Sequence, residues 1–515
     1  MQRFIQRHAD RVMGILSGFD RLVFRGYLRE LIFSAGLFAF LYRRHVRLTD
    51  FGDYAQSLTD RLKTASLAEA TRLGRPVQHL WSSRTDKEET ARAIASRDGI
   101  TKGLVCVLTS VEPCRSFDMG HDPKTNRFGL RSRFRKCLFL YHYMIDPVFG
   151  WLNARIQTWL PFDIQICMNG REWLSRQMDE AKLWYLRREN CFPWIESVPR
   201  AQKLMGEQVR TYWPGELDRI ARQLNPDHVR MLGTVRIPYY WSVHQSEWAT
   251  DLMFNDAASL AEIYPRLTRH AISAFSSADV IRFLGGKVHG GFQGEIVSDF
   301  KDRPEGVRIK HRVGTNSVKM YDKQGSVLRT ETTLNDAAGI KVFRPKEGDG
   351  RGKRAWRPMR AGIADLHRRT QVSQASNERY LDAMAAADTT TPVGTVLKDL
   401  DRPVTFKGAR VRGIRASSSE DVALIKAVSR GEFCLNGFRN SDLRWLLFGR
   451  PPKSKAERAR RTAKVTRLIR LLRAHKLIRK VPKSRRYKLT SKGRELLTVV
   501  LAVHDVSIAK LNDVA

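Results

Sequence analysis

The stretch that most constrains this chain runs from Glu420 to Val506, where the residue pattern reads helix, helix, helix, strand, basic turn, strand, helix. The helical patterns span Asp421 to Ser429, Ser441 to Phe448 and Lys455 to Leu472. They are followed by Leu477-Ile478-Arg479-Lys480-Val481, a turn at Pro482-Lys483-Ser484, the strand Tyr487-Lys488-Leu489-Thr490 and a closing helix from Ser491. In the third helix Val465, Leu468, Ile469 and Leu472 fall at i, i+3, i+4 and i+7, a stripe that docks on a small core. Its other faces are basic. From Arg450 to Lys488 there are seventeen Lys or Arg and one acid, Glu457, a density that fits the closely spaced phosphates of duplex DNA.

The runs Leu471-Leu472-Arg473-Ala474-His475-Lys476-Leu477-Ile478-Arg479-Lys480-Val481 and Arg486-Tyr487-Lys488-Leu489-Thr490-Ser491-Lys492-Gly493 resemble the recognition-helix-to-wing segment of MarR-like and ArsR-like winged-helix proteins. The resemblance implies a winged helix-turn-helix domain over 419–515 whose third helix enters the major groove. On that reading Arg458, Arg461, Lys464 and Arg467 lie on the DNA-facing helix, and Lys483, Arg485 and Arg486 meet phosphates.

The remaining four-fifths of the chain is also basic. A net charge of +38 over 515 residues points to a polyanionic partner, nucleic acid before anionic membrane, and the length predicts two or three domains. The apolar run Leu31 to Tyr42 is too short to span a bilayer, and Met1 to Gly18 is amphipathic without a small-residue cleavage site. The expectation is a soluble, cytoplasmic protein with no membrane partner. Cys106, Cys114, Cys137, Cys167, Cys191 and Cys434 form no CxxC pair, so neither a disulfide framework nor a zinc site is indicated.

Residues 1–343 alternate helical and extended patterns, the mark of a mixed α/β or α+β body. Helices are expected over Met1 to Ile15, Leu31 to Arg44, Asp50 to Leu73, Pro147 to Trp159 and Arg171 to Met178; strands are expected at Gly18 to Gly26, Gly103 to Thr109, Lys136 to Asp146 and Phe162 to Met168. Asp20, Glu112, Asp118 and Asp146 are placed at or just past strand ends, where the metal-binding carboxylates of nucleic-acid enzymes often lie, and they form the candidate metal set. Trp184, Tyr185, Phe192, Trp194, Tyr212, Trp213, Tyr239, Tyr240, Trp241 and Trp248 interleave with cations in the middle of the chain. Such a pattern either stacks bases or fills a core.

The body ends in a basic antiparallel β-meander over 306–334. Val307, Ile309, His311 and Val313 alternate with Arg308, Lys310 and Arg312; Ser317 to Lys323 and Val327 to Leu334 continue the strands beyond short turns. In the second strand Lys319, Tyr321 and Lys323 share one face, which places a phenol between two cations that favour its ionised form and a phosphate. The words Asn316-Ser317-Val318-Lys319-Met320-Tyr321-Asp322-Lys323 and Leu328-Arg329-Thr330-Glu331-Thr332 are similar to a motif of the replication initiators of rolling-circle plasmids and filamentous phages. That resemblance implies strand nicking with Tyr321 as nucleophile, supported by Lys319, Lys323 and Glu331, and a divalent metal such as Mg²⁺ or Mn²⁺. The alternative is a packed meander in which Arg329 and Glu331 form an intra-sheet pair.

Residues 344–418 read as a basic linker, Gly- and Pro-rich from Arg344 to Arg360, with one helical stretch from Gly362 to Ala387 that is a candidate lever or dimer helix. Three functions fit these features. The first is a DNA-processing protein of a mobile genetic element or plasmid, nickase-like or transposase-like, acting on duplex or single-stranded DNA. The others are a non-catalytic winged-helix transcriptional regulator and an RNA-binding factor.

Overall fold

The computed structural model describes residues 1–122, 126–224, 238–273, 275, 277–285, 296–301, 308–346, 349, 352–385, 393–430, 433, 437–482, 484–490, 492–493, 496–497 and 500–501. The protein is mixed α/β, built on one large mixed sheet with several two-stranded antiparallel sheets beside it. The strands of the large sheet are β1 (Val12–Leu28), β2 (Val77–Leu80), β3 (Gly103–Asp122), β4 (Arg127–Asp146), β5 (Gly150–Gln157) and β6 (Ile164–Asn169). The Tyr185–Arg188 and Cys191–Ile195 hairpin supplies β7 and β8 outside it; β9 (Tyr239–Phe254), β10 (Ile296–Lys301), β11 (Arg308–Val313), β12 (Asn316–Lys323) and β13 (Val327–Leu334) complete it. The order is β10-β11-β12-β13-β9-β1-β6-β5-β4-β3-β2, antiparallel except for the β2–β3 pair.

The seventeen-residue β1 lies between β6 and β9 and packs Leu16, Phe19, Leu22, Phe24 and Leu28 into the main core. The N-terminal helix expected to reach Ile15 stops at Arg7, because Val12 onward pairs with β9. Residues 147–159, expected as a helix, contain β5 instead. Trp151, Leu152, Ala154 and Ile156 are buried there between β4 and β6, and such a short apolar run carries no clear period. Helices Ser34–Arg43 and Phe51–Arg72 join the main core on one side, while helix Lys87–Arg97 sets Ala91 and Ile94 against Tyr141, Tyr143 and Trp151 on the other. Helix Leu366–Met384 lies on the β9–β13 face that carries Thr332 and Trp248, where Asn377 bonds the Thr332 hydroxyl and the Trp248 carbonyl.

Described parts of the region expected as a linker carry regular structure. Lys341–Arg344 pairs with Ala355–Pro358, and Trp356 of that hairpin packs edge-on against Phe433 of the C-terminal core. That core gathers helices Ser419–Val428, Asn440–Phe448 and Lys455–Ala474 with the hairpin Ile478–Lys480/Tyr487–Leu489, and its buried members reach back to Leu400 and Ile414. No helix among the described residues is long and apolar enough to cross a membrane.

Candidate metal centre

The centre of the large sheet is unusually polar. Asp20 on β1, Glu247 on β9 and Glu331 on β13 are all buried, and one ligand-capable atom of each lies within 4.8 Å of the others. Local backbone geometry explains the convergence. Phe19 stands opposite Trp248 and Arg21 opposite Glu247, so Asp20 is the extra residue of a β-bulge. Strict alternation would place Asp20 and Arg21 on opposite faces; the bulge brings both to the wall of the same cleft. Glu331 pairs with Ala249 and Thr333 with Glu247, making the two glutamates diagonal neighbours on one face.

β12 completes the cluster. Lys319 stands directly opposite Glu331, with its ammonium 2.6 Å from Oε1 and 4.0 Å from Glu247. Tyr321, two residues on, donates its hydroxyl to Glu331 Oε2 at 2.8 Å. Burial opposes the charge of Lys319, but Glu331 and Glu247 outweigh it and raise its pKa above the ordinary lysine value. Burial, reinforced by the Glu331 carboxylate, pushes the Tyr321 phenol well above its usual range. In the protein alone Tyr321 is therefore a neutral hydrogen-bond donor.

A second tier of ion pairs holds this arrangement. Arg329, 1% exposed, bonds Asp251 through Nε at 2.6 Å and Asp20 through Nη1 at 2.8 Å. Arg171 meets Asp251 at 3.0 Å, Arg21 meets Glu247 at 3.1 Å and Asn190 donates to Asp20 at 2.7 Å. Arg171 opens a helix that crosses β1 closely: a Cβ at Gly170 would stand 2.0 Å from the Phe19 carbonyl oxygen. Burial alone would raise the Asp251 carboxyl, yet Arg329 and Arg171 hold it below its ordinary value. Beside the carboxylates lies a cleft of about 470 Å³ lined by Asp20, Arg21, Glu247 and Asn190 at one end and by Arg92, Tyr143 and Trp151 at the other.

The expected site residues fall in different places. Asp20 joins Glu331, Lys319 and Tyr321; Lys323 lies further along β12, 3.3 Å from Glu189. Glu112, inside β3, accepts from Tyr141 at 2.6 Å and pairs with Arg155 and Lys87. Asp118, further along β3, faces Arg133 at 3.9 Å. Asp146 closes β4, where it caps the Val148 and Phe149 amides and meets Arg219 at 3.0 Å. These three are separate ion-pair sites on β3 and β4, away from the Asp20 cluster. Arg329 and Glu331 do not pair with each other: Arg329 is taken up by Asp251 and Asp20, and Glu331 by Lys319 and Tyr321. Glu247 and Asp251 are not singled out by sequence. Their signal is two acids four residues apart, Glu247 and Asp251, in a strand of mixed polar and apolar residues, and it carries meaning only once β9 is known to be central.

In the C-terminal helix Lys455–Ala474, Arg458, Lys464 and Arg467 are exposed, Lys464 pairing with Glu420 at 2.8 Å. Arg461 is turned inward instead: it lies one turn before Val465 on the apolar stripe, bonds the Arg450 carbonyl and stacks over Phe448. Arg486 is likewise buried, donating to the Gly437 carbonyl and covering the Phe343 ring at 3.7 Å. Arg485 is exposed, and Lys483 lies outside the described residues. Of the aromatic middle, Trp213, Phe192, Trp241 and Trp248 are core, whereas Trp184 and Tyr212 are exposed.

No protein-family model, curated protein or solved structure matches this chain.

Proposed function

We propose that the protein cleaves one strand of DNA at a divalent-cation site made by Asp20, Glu247 and Glu331, with Tyr321 as the nucleophile and a winged helix at the C-terminus locating the duplex. One observation carries this reading: three carboxylates from three neighbouring strands converge within 4.8 Å, and a tyrosine on the fourth strand bonds one of them. An all-oxygen carboxylate set suits a hard cation such as Mg²⁺ or Mn²⁺. When bound, such an ion supplies positive charge to the phosphate oxygens. The chain's own residues do the rest. Tyr321 Oη attacks phosphorus, its proton passes to Glu331 Oε2, and the Oη–P bond forms as the P–O3′ bond breaks. The departing 3′ oxygen takes a proton from solvent, leaving a 5′-phosphotyrosine. Lys319 and Arg21 are the cations nearest to the charge that develops on the phosphate.

The helix order of the C-terminal core, followed by its hairpin, supports a winged helix, and the exposed Arg458, Lys464 and Arg467 support its DNA-facing role. The replication-initiator resemblance points to a plasmid or mobile element as the setting for such an activity.

A second reading, a non-catalytic winged-helix regulator, is favoured by the cation already paired with each carboxylate: Lys319 with Glu331, Arg21 with Glu247 and Arg329 with Asp20. One experiment separates the two. Wild type and Tyr321→Phe are incubated with supercoiled DNA carrying a site selected by the protein, with Mg²⁺ or Mn²⁺, and denatured. The enzyme reading expects nicked circles and a denaturation-resistant complex from wild type alone. A cut made equally well by the Phe variant removes Tyr321 from the chemistry, and no cut by either protein leaves the regulator.

A further inference from the structure

The long hairpin of β3 and β4 extends well past its neighbours. β2 pairs with β3 only as far as Ser110, and β5 pairs with β4 only from Phe139 onward. Beyond those points Pro113 to Asp122 and Arg127 to Lys136 pair only with each other among the described strands. A lone two-stranded ribbon is marginal in water, and this one is anchored on both faces: Phe117 is buried in the main core, with Met119 and Leu130 packed against it, and on the other face Ser116 donates its hydroxyl to the Leu160 carbonyl at 2.7 Å and Cys114 is buried.

That second face is basic. Arg131, Arg133 and Arg135 alternate along β4, and the residues opposite them on β3 are the short Asp118, Ser116 and Cys114. Arg133 and Arg135 are exposed, Arg135 stacked over the Trp159 ring at 4.3 Å, and Asp118 is the one acid among these facing residues, 3.9 Å from Arg133.

Strand register decides which way this face looks. Arg21 of the carboxylate cleft stands opposite Asn169; Cys167, two residues before it, stands opposite Asn153, and Asn153 opposite Tyr143. Residues directly opposite share a face, and every second residue along β4 keeps it, so the arginines look out on the same side as the cleft. Arg135 is eight residues from Tyr143 and Arg131 twelve, roughly 27–41 Å along the strand. That span brackets one turn of B-DNA, roughly 34–36 Å. Helix Lys87–Arg97 packs on this same face, over Tyr141, Tyr143 and Trp151.

We propose that this ribbon is a duplex-gripping arm: Arg131, Arg133 and Arg135 hold the phosphate backbone about one helical turn from Tyr143, at the end of the cleft away from the carboxylates, with the duplex passing over helix Lys87–Arg97. The proposal rests on the DNA-cleavage reading only for what happens beyond the far end of that turn. The stripe of alternating cations supplies sequence-independent attachment, and its anchorage through Phe117 orders the arm before DNA arrives.

The test uses the full chain, a duplex of about 30 base pairs, close to three turns, and three variants. Replacing all three arginines by Gln lowers the slope of log affinity against log salt by roughly 2–3, at about 0.9 for each phosphate no longer neutralised. Replacing them by Lys keeps most of the slope. Arg133→Gln alone lowers it by roughly 0.9, which keeps the test open if the triple Gln variant melts early. Backbone footprinting places an arginine-dependent protected patch more than one turn from the cut. Unchanged slopes with an unchanged footprint overturn the arm. A chain that never cuts DNA but keeps the arginine-dependent slope defeats the cleavage reading and leaves the arm standing.

Discussion

Tyr321 and Lys319 meet the same carboxylate from one strand, the phenol on Glu331 Oε2 at 2.8 Å and the ammonium on Oε1 at 2.6 Å. Glu331 is thus the acceptor of the hydroxyl of Tyr321, the proposed nucleophile, and, after burial, the main cause that keeps the phenol neutral. A cation that draws charge from Glu331 relieves that repulsion and eases ionisation of Tyr321.

Tyr321→Phe removes one oxygen and one hydrogen bond. The expected cost is about 1 kcal/mol in unfolding free energy, with duplex affinity unchanged and the covalent adduct lost. Denaturant midpoints, binding isotherms and denaturing gels read the three quantities separately. A large loss of affinity would mean that Tyr321 holds DNA instead of attacking it.

If the three carboxylates hold a divalent cation as proposed, added Mn²⁺ is expected to stabilise the fold by mass action. At about one hundred times the dissociation constant the gain is about 2.7 kcal/mol, seen as a rise in melting temperature. Glu331→Gln and Glu247→Gln are each expected to abolish most of that rise, whereas Glu112→Gln keeps it. The same rise in all four proteins would place the ion elsewhere.

Arg329→Met leaves Asp251 and Asp20 facing the interior without their shared cation. The expected destabilisation is about 3–5 kcal/mol, because breaking one side of a buried pair strands the other. Arg329→Met combined with Asp20→Asn recovers part of that loss, since Asn190 can still donate to the new amide oxygen and Arg171 still pairs with Asp251. A double variant no more stable than the single one would show that Asp251 bears most of the penalty.

His142 is buried, with Nε2 3.1 Å from the Ser66 hydroxyl, and burial lowers its pKa to about 4. The folded chain keeps this imidazole neutral where the unfolded chain binds a proton. Stability therefore falls as pH drops from about 6.5 toward 4, by at most roughly 1.4 kcal/mol per pH unit. Carboxylates with lowered pKa, such as Asp251, act below that window. Urea midpoints across it are expected to fall less steeply in His142→Gln, with His244 and His367, also lowered by burial, supplying the remainder. Parallel pH profiles for the two proteins would refute the assignment.

Much of the local structure was legible in the residues. Period-two alternation locates β11 to β13 to within a residue or two and puts Val318 and Met320 inside, with Lys319 and Tyr321 across the strand from them. The helices expected over Asp50 to Leu73 and, from its apolar stripe, Lys455 to Leu472 agree with Phe51–Arg72 and Lys455–Ala474. The carboxylate site was legible only in part. Asp20 and Glu331 stand out by themselves, but Glu247 acquires meaning from a strand order that joins residues more than two hundred apart. Arg461 and Arg486 show a related limit, since a guanidinium on an apolar stripe buries its stem and head together when a backbone carbonyl and an aromatic ring receive it.

Because β1 is flanked by β9, and β9 by β13, the carboxylates come from residues 20, 247 and 331 of a single chain. During synthesis the first of them waits while more than three hundred further residues emerge. Pairing over such separations closes slowly. A nascent chain that has not yet exposed β13 from the ribosome holds neither Glu331 nor the partner that orients Tyr321. On the proposed cleavage reading no strand can be cut before β13 has emerged, and a fragment released earlier holds at most two of the three carboxylates.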